Sequence, residues 1–264
     1  MERENWSLEK MRGLFDLTGK VAIVTGGSGA FGQAAAKGLA AFGADVVIAS
    51  RRLENLETAA ADIAETGAKV LPISCDATDA ASVEAMVQQT VDEFGTVDIL
   101  VSSAGQANRF AAEEFPLDEW QKVMDSLVKG TYISCQAVGK QMIAQGSGKI
   151  ITVGSVRGEF GHPGGYSAYG TAKGAVHLLT KQLATEWAKY RINVNCIAPC
   201  IFWTPLTQQV LDDPELYKIF MQRIPWGRAA DPQDFIGATV YLASAASDFV
   251  TGDILMVDGG STAG

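Results

Sequence analysis

Val21-Ala-Ile-Val-Thr25 followed by Gly26-Gly-Ser-Gly-Ala-Phe-Gly32 decides the fold of this chain. Five apolar or β-branched residues predict a buried strand, the glycines a tight turn, and the alanine-rich run Gln33 to Phe42 a helix. Strand, glycine turn and helix in that order let the backbone approach a pyrophosphate, whose charge meets the free amides of the helix N-terminus. A second apolar strand, Asp45-Val-Val-Ile-Ala49, follows about twenty residues on, the context in which such a turn reads as a dinucleotide site rather than a plain bend.

The second strand runs into Ser50-Arg51-Arg52, where an Asp or Glu would accept the adenosine ribose hydroxyls. Arginine there forks onto a 2′-phosphate, which favours NADP(H) over NAD(H). Arg52 has a second reading, solvation of the start of the next helix.

Outward from this unit the alternation continues. Leu53 to Thr66 and Ala80 to Phe94 read as helices, Lys69 to Ser74 and Val97 to Val101 as strands. A long, mixed helix from about Leu117 to Ile143 is interrupted at Gly130 and Gly139, where close packing or a subunit contact calls for a small residue. Lys149 to Val153 and Ile192 to Ile197 are strands flanking a helix from Gly170 to Tyr190, and Pro232 to Ala243 with Ile254 to Val257 ends the pattern. Strands alternating with such helices imply right-handed crossovers and a doubly wound parallel α/β sheet of the Rossmann type, with ligands at the carboxyl ends of the strands. No internal repeat or composition break marks a second domain, so the expectation is a peripheral arm over 1–17 and one domain over 18–264. Within it Ile201-Phe-Trp-Thr-Pro-Leu206 and Ile224-Pro-Trp-Gly-Arg228 bracket an aromatic insert at about 200–228, either a lid over substrate or a subunit interface.

Composition narrows the function. Acidic residues outnumber basic ones 30 to 21, for a net charge of −9, without a Lys/Arg-rich block, which disfavours nucleic-acid binding. No apolar run long enough to span a membrane and no signal-peptide order at Met1-Glu-Arg-Glu-Asn-Trp6 point to a soluble cytoplasmic protein. Cys75, Cys135, Cys196 and Cys200 form no C-x-x-C pair and only two histidines accompany them, so they read as reduced structural thiols and no metal site is expected.

Chemistry concentrates between Ser155 and Lys173. Tyr169-Gly-Thr-Ala-Lys173 places a lysine one helical turn after a phenol, on the same face, where a cation favours the phenolate. Ser155, delivered by the end of the fifth strand, can hydrogen-bond the oxygen that Tyr169 protonates or deprotonates, an arrangement suited to carbonyl–alcohol chemistry. A Tyr-x-x-x-Lys pair alone is also a common surface pair. Tyr166 has Gly170 as its fourth neighbour and so lacks a lysine partner.

Taken jointly, Thr25-Gly-Gly-Ser-Gly-Ala-Phe-Gly32, Cys75-Asp76, Ser102-Ser-Ala-Gly105, Ser155 with Tyr169 and Lys173, Asn193-Val-Asn-Cys-Ile-Ala-Pro199, Thr204 and Val257-Asp-Gly-Gly260 resemble the short-chain dehydrogenase/reductase family over residues 18–262. The resemblance implies a nicotinamide cofactor and a homotetramer or homodimer. It implies Tyr169 as general acid/base, Ser155 as the orienting hydroxyl, and Lys173 as the residue that lowers the tyrosine pKa and binds the nicotinamide ribose. The implied cofactor contacts are Gly26, Ser28, Gly29, Phe31 and Gly32 of the first turn, Ser50, Arg51 and Arg52, Asp76 and Ala77, Ala104 and Gly105, Tyr169 and Lys173, Pro199 and Thr204.

Four positions depart from the family pattern: Ala30 for the central loop glycine, Ser102-Ser103 for Asn-Asn, Cys200 for glycine, and Leu127 for a catalytic asparagine. A leucine side chain cannot hold the relay water associated with that asparagine, although its backbone carbonyl can. The candidate substrate residues are Gln106, Arg157, His162 and Trp203, with Arg109 and Glu159 nearby; an arginine here grips a carboxylate or merely solvates the surface. The expected activity is NADP(H)-dependent interconversion of a secondary alcohol and a ketone on a polyol, sugar or sugar acid. A 3-oxoacyl-thioester reductase and a catalytically weakened cofactor-binding sensor or assembly subunit are the alternatives.

Overall fold

In the computed structural model, which describes residues 7–106, 108–205 and 207–263, seven parallel strands form one sheet in the order β3-β2-β1-β4-β5-β6-β7. They are β1 (Val21–Thr25), β2 (Asp45–Ser50), β3 (Val70–Ser74), β4 (Ile99–Ser102), β5 (Gly148–Val153), β6 (Ile192–Pro199) and β7 (Ile254–Val257). Residues 1–6 of the expected arm, Leu206 of the insert, Ala107 and Gly264 lie outside the described residues. The rest of the arm holds the helix α1 (Leu8–Arg12) and a 3₁₀ turn, neither with a buried residue, whereas Leu17 is packed into the main core.

The helices divide between the two faces. α2 (Ala30–Ala41), α3 (Leu53–Ala64) and α10 (Ile236–Ala243) cover one, joining Leu39, Leu56 and Ile63 to Val24 and Ile48 of the strands. α4 (Ala80–Phe94), α6 (Gly130–Gln145) and α7 (Ser167–Trp187) cover the other, bringing Met86, Val138, Met142 and Leu183 to Ile23, Leu100 and Ile150. Central strands are buried on both sides, which is why β1 and β4 read as continuous rather than alternating apolar runs. Each fully buried aliphatic side chain contributes roughly 2 kcal/mol relative to exposure.

Two helices differ from the sequence expectation for stated reasons. α2 starts at Ala30, inside the glycine motif, because Gly29 takes an extended conformation and serves as its N-cap. The long helix runs without a break through α5 (Leu117–Met124), a π-helical turn at Asp125–Lys129 and α6, and Gly139 is small because a Cβ there would stand 2.6 Å from the Trp187 ring. The insert folds into two short helices, α8 (Gln208–Leu211) and α9 (Pro214–Met221).

Candidate active site

At the carboxyl edge of β1, β2 and β4 lies a cavity of about 570 Å³, lined by Gly26, Ser28, Gly29, Ser50, Arg51, Asp76, Ala77, Ala104, Gly105 and Gln106 among others. The first turn is built for close backbone approach. Gly26 has φ 69°, and a Cβ there would stand 2.8 Å from the Ala104 nitrogen; one at Gly32 would collide with the Gly26 carbonyl. No side chain caps α2, so the first-turn amides are left to an outside acceptor. Ala30 opens the helix in place of the usual glycine without obstructing this arrangement. A pyrophosphate fits here: a glycine cradle with the donor end of a helix behind it.

Around that cradle, Ser28 Oγ meets Ser50 Oγ at 3.1 Å. Asp76 accepts from Thr78 through its backbone N–H (2.9 Å) and its hydroxyl (2.8 Å), and these two bonds, helped by the Arg51 charge, hold its carboxyl below the usual range. Ser103 donates to the Thr25 carbonyl at 2.6 Å, tying β4 to β1 where the family has asparagine. Several expected contacts are not among the cavity's lining residues. Arg52 is exposed at the N-cap of α3, and Phe31 packs its ring 5.0 Å from those of both Phe202 and Phe235. Pro199 ends β6, while Thr204 Oγ1 pairs with Thr207 Oγ1 at 2.9 Å.

The expected catalytic residues stand past the end of β5 and in the first turns of α7. Ser155, buried just past β5, accepts the Arg157 backbone N–H at 3.1 Å and lies within hydrogen-bonding reach of the Tyr169 phenol. Lys173 follows one turn after Tyr169, with Nζ 5.8 Å from the phenol ring, and donates to the Val153 carbonyl at 2.6 Å. Burial pushes this lysine down to about 8. Burial also raises the Tyr169 phenol, and what counteracts it is the Ser155 hydrogen bond, then the charges of Arg157 and Arg109. The Lys173 ammonium, anchored on Val153, lies 5.8 Å from the centre of the phenol ring, close enough for its charge to favour the phenolate as well.

Those arginines belong to a cluster that the sequence did not show as one. Arg109 sits 4.9 Å and Arg157 5.9 Å from the centre of the Tyr166 ring, which itself packs edgewise on Tyr169 at 5.9 Å. His162 touches the same ring at 4.9 Å and stacks on Phe220 of α9 at 6.4 Å. Burial, then the charges of Arg157, Arg223 and Arg109, hold the His162 imidazole below its ordinary value. Three guanidinium groups thus gather at the site mouth, where the carboxylates of Glu113 and Glu159 line the same cavity as Arg157. Tyr166 and Arg223 were missed, the first because it was weighed only for a lysine partner, the second because it lies far along the chain. Trp203 stacks on Tyr217 of α9 at 6.3 Å, which pins the insert to itself.

Leu127 is buried in the π-helical turn, among Val123, Ala168 and Ala172, and a Cβ at Gly105 would run into its Cδ2. Its carbonyl accepts the Thr131 hydroxyl at 2.8 Å. That bond takes one of the two lone pairs of the carbonyl and leaves the other for a relay water.

All four cysteines are free thiols, and burial pushes Cys135 up to about 12 and Cys196 up to about 11. Among the described residues no group of three or more His, Cys, Asp or Glu is placed to hold a metal, and no helix is long and apolar enough to cross a membrane.

Residues 27–262 match a family model described as enoyl-(acyl carrier protein) reductase. Gluconate 5-dehydrogenase of Gluconobacter oxydans (strain 621H) is 39% identical over 249 residues, covering 94% of this chain and 97% of that one. The 2-dehydro-3-deoxy-D-gluconate 5-dehydrogenase of Dickeya dadantii (strain 3937) is 42% identical, covering 93% and 96%. A crystal structure of a gluconate 5-dehydrogenase from Burkholderia cenocepacia J2315, in complex with NADP and tartrate, superposes with a TM-score of 0.91 at 37% identity, covering 95% of this chain and 98% of that one. Matched along nearly the whole length of these relatives, the chain belongs to the short-chain dehydrogenase/reductase family of nicotinamide-dependent oxidoreductases.

Proposed function

We propose that the protein interconverts a secondary alcohol and a ketone on a sugar acid, using NADP(H) in preference to NAD(H), with Tyr169 as general acid/base, Ser155 as the orienting hydroxyl and Lys173 as the ribose-binding cation. The observation that carries the substrate class is the gathering of Arg109, Arg157 and Arg223 around Tyr166 and His162, next to Tyr169, in a chain of net charge −9. Glu113 and Glu159 offset part of this charge from the same cavity, and a substrate carboxylate is matched by a guanidinium fork. Relatives named for gluconate chemistry support the same class.

When bound, the reduced nicotinamide supplies a hydride to the carbonyl carbon. The protein's share is to aim Ser155 Oγ and the Tyr169 hydroxyl at one oxygen. In reduction Tyr169 gives that oxygen its proton and is left as phenolate, which the Ser155 hydrogen bond and the two arginine charges stabilise. In oxidation the phenolate takes the proton from the alcohol. Two hydroxyls converging on oxygen suit a ketone better than an isolated carbon–carbon double bond.

For the cofactor, Arg51 on the cavity rim supports recognition of the 2′-phosphate. Cytoplasmic location and a homodimer or homotetramer complete the proposal; the exposed apolar side chains of Leu178 and Phe249 offer contact surface, which sedimentation tests. A second reading, a catalytically weakened cofactor-binding sensor, has one observation in its favour, the sealed environment of Leu127.

One experiment separates these. The purified protein is titrated with NADPH and NADH, then assayed on keto-sugar acids, their neutral keto-sugar counterparts and 3-oxoacyl thioesters. The proposal expects the acids to turn over with kcat/KM at least about tenfold above the neutral sugars, and Tyr169→Phe to abolish turnover while retaining cofactor binding. Preference for the thioester, or indifference to the carboxylate, overturns the substrate class; tight binding with no turnover favours the sensor.

A further inference from the structure

His177 stands one turn beyond Lys173 on α7 and is 5% exposed, yet the proton and hydride chemistry makes no use of it. Its ring fills the space beneath the turn that carries Ser155. A Cβ at Gly154 would run into Nε2, and one at Gly158 would stand 2.6 Å from Cε1. The serine turn has glycine on both sides because the imidazole occupies the room a side chain would need.

The polar atoms of the ring are placed as closely as its bulk. Nε2 faces the Ser155 backbone N–H at a long 3.4 Å. Because that N–H can only donate, Nε2 must carry the lone pair and Nδ1 the proton. Nδ1 is buried without a hydrogen-bond partner, and Glu159 Oε1 lies 3.7 Å from it. The Glu159 side chain is 41% exposed, so a small torsional change closes this gap.

We propose that His177 is a positioning residue for Ser155: Nε2 fixes the serine backbone, the Nδ1 proton is aimed at Glu159, and the serine keeps its place only while the imidazole is neutral. This rests on Ser155 being the hydroxyl that works beside Tyr169. Protonation would turn Nε2 from acceptor to donor, setting two donors against each other beneath the catalytic turn. The charged and titratable groups facing the ring are Glu159 from the serine turn, Lys173 and Lys181 from its own helix, and the Cys196 thiol of β6, which shares the space over Gly154. Burial outweighs the favourable Glu159 charge, and the two lysines add to it, so the imidazole is held below its ordinary value and stays neutral at neutral pH. Acidification would therefore release Ser155 below the ordinary histidine range.

The test pairs His177→Gln, whose side-chain oxygen accepts a hydrogen bond without titrating, with His177→Leu, which cannot accept one. Imidazole ¹⁵N spectra of the wild type are read alongside, and since the chain has only two histidines, His162→Asn assigns the signals. The expected result is a neutral Nδ1–H tautomer, and a kcat reduced about tenfold in His177→Leu with cofactor KM unchanged. In His177→Gln, kcat stays near wild type and the acid limb of the pH profile that tracks the His177 titration disappears. An Nε2–H tautomer, or equal kcat and equal pH profiles in the two variants, overturns the proposal. If His177→Leu does not fold, the tautomer and the glutamine profile decide. The tautomer needs no substrate, so failure of the sugar-acid reading leaves this test intact.

Discussion

Arg51→Ala is the substitution whose effect can be worked most directly from the structure. Arg51 follows β2 on the rim of the cofactor cavity, its backbone carbonyl held by Ser74 Oγ at 3.2 Å and its charge felt by Asp76 across the rim. A 2′-phosphate brought beside Asp76 would meet a carboxylate kept ionised by Thr78, so its acceptance depends on a compensating cation. One forked guanidinium–phosphate contact in a partly solvated site contributes about 2 kcal/mol, or roughly 30-fold in Kd. Fluorescence titration should therefore find NADPH binding weakened by about that factor in Arg51→Ala, with NADH changed less than about twofold. Raising the ionic strength should weaken NADPH binding in the wild type and have less effect in the variant, because the lost contact is the screened one. Arg52→Ala is the matched control: exposed at the N-cap of α3 and away from the lining, it should leave the NADPH/NADH ratio near that of the wild type. Equal loss for both cofactors in Arg51→Ala would refute the phosphate argument, as would a larger ratio change from Arg52→Ala.

Two further outcomes follow from buried groups. Burial lowers Lys173 from 10.5 to about 8, so between those values the unfolded chain holds the extra proton, and this lysine's contribution to folding stability rises with pH by up to about 3 kcal/mol. Raised thiols such as Cys135 and Cys196 act in the opposite direction over the same range. The quantity to read by denaturant titration is thus the wild type minus Lys173→Met, and a difference that stays flat from neutral pH to above 10 contradicts the burial argument. Leu127→Asn should preserve or raise kcat if a proton relay of the family type can be restored. It should also cost about 2 kcal/mol of stability, because an amide enters an apolar cluster; a collapse of turnover with the fold intact counts against the relay.

What was legible in the sequence is what neighbouring residues decide among themselves. The β1–glycine–α2 unit could be read because buried strands, tight turns and helix starts are local matters. Tyr169 and Lys173 could be paired because four residues make one helical turn. The arginine cluster was not legible as a unit, since Arg109, Arg157 and Arg223 come from three separate stretches of chain that only the fold brings around Tyr166 and His162. Nor could spacing tell where the Lys173 ammonium points: that depends on a strand carbonyl twenty residues earlier, Val153.

His177 shows the boundary most clearly. The rule that links Tyr169 to Lys173 links Lys173 to His177 by one more turn, and the glycines at 154 and 158 were equally visible in the sequence. Helical spacing names the face of a helix but not what lies against it. Here that face meets the serine turn, whose glycines admit the ring, and a histidine that reads as ordinary core then presents an acceptor to the backbone of Ser155. Chemistry in this fold is thus set by strand ends and by the glycines that let side chains pass beneath them, and substitutions at Gly154 or Gly158 should act on Ser155 through His177 rather than through the turn alone.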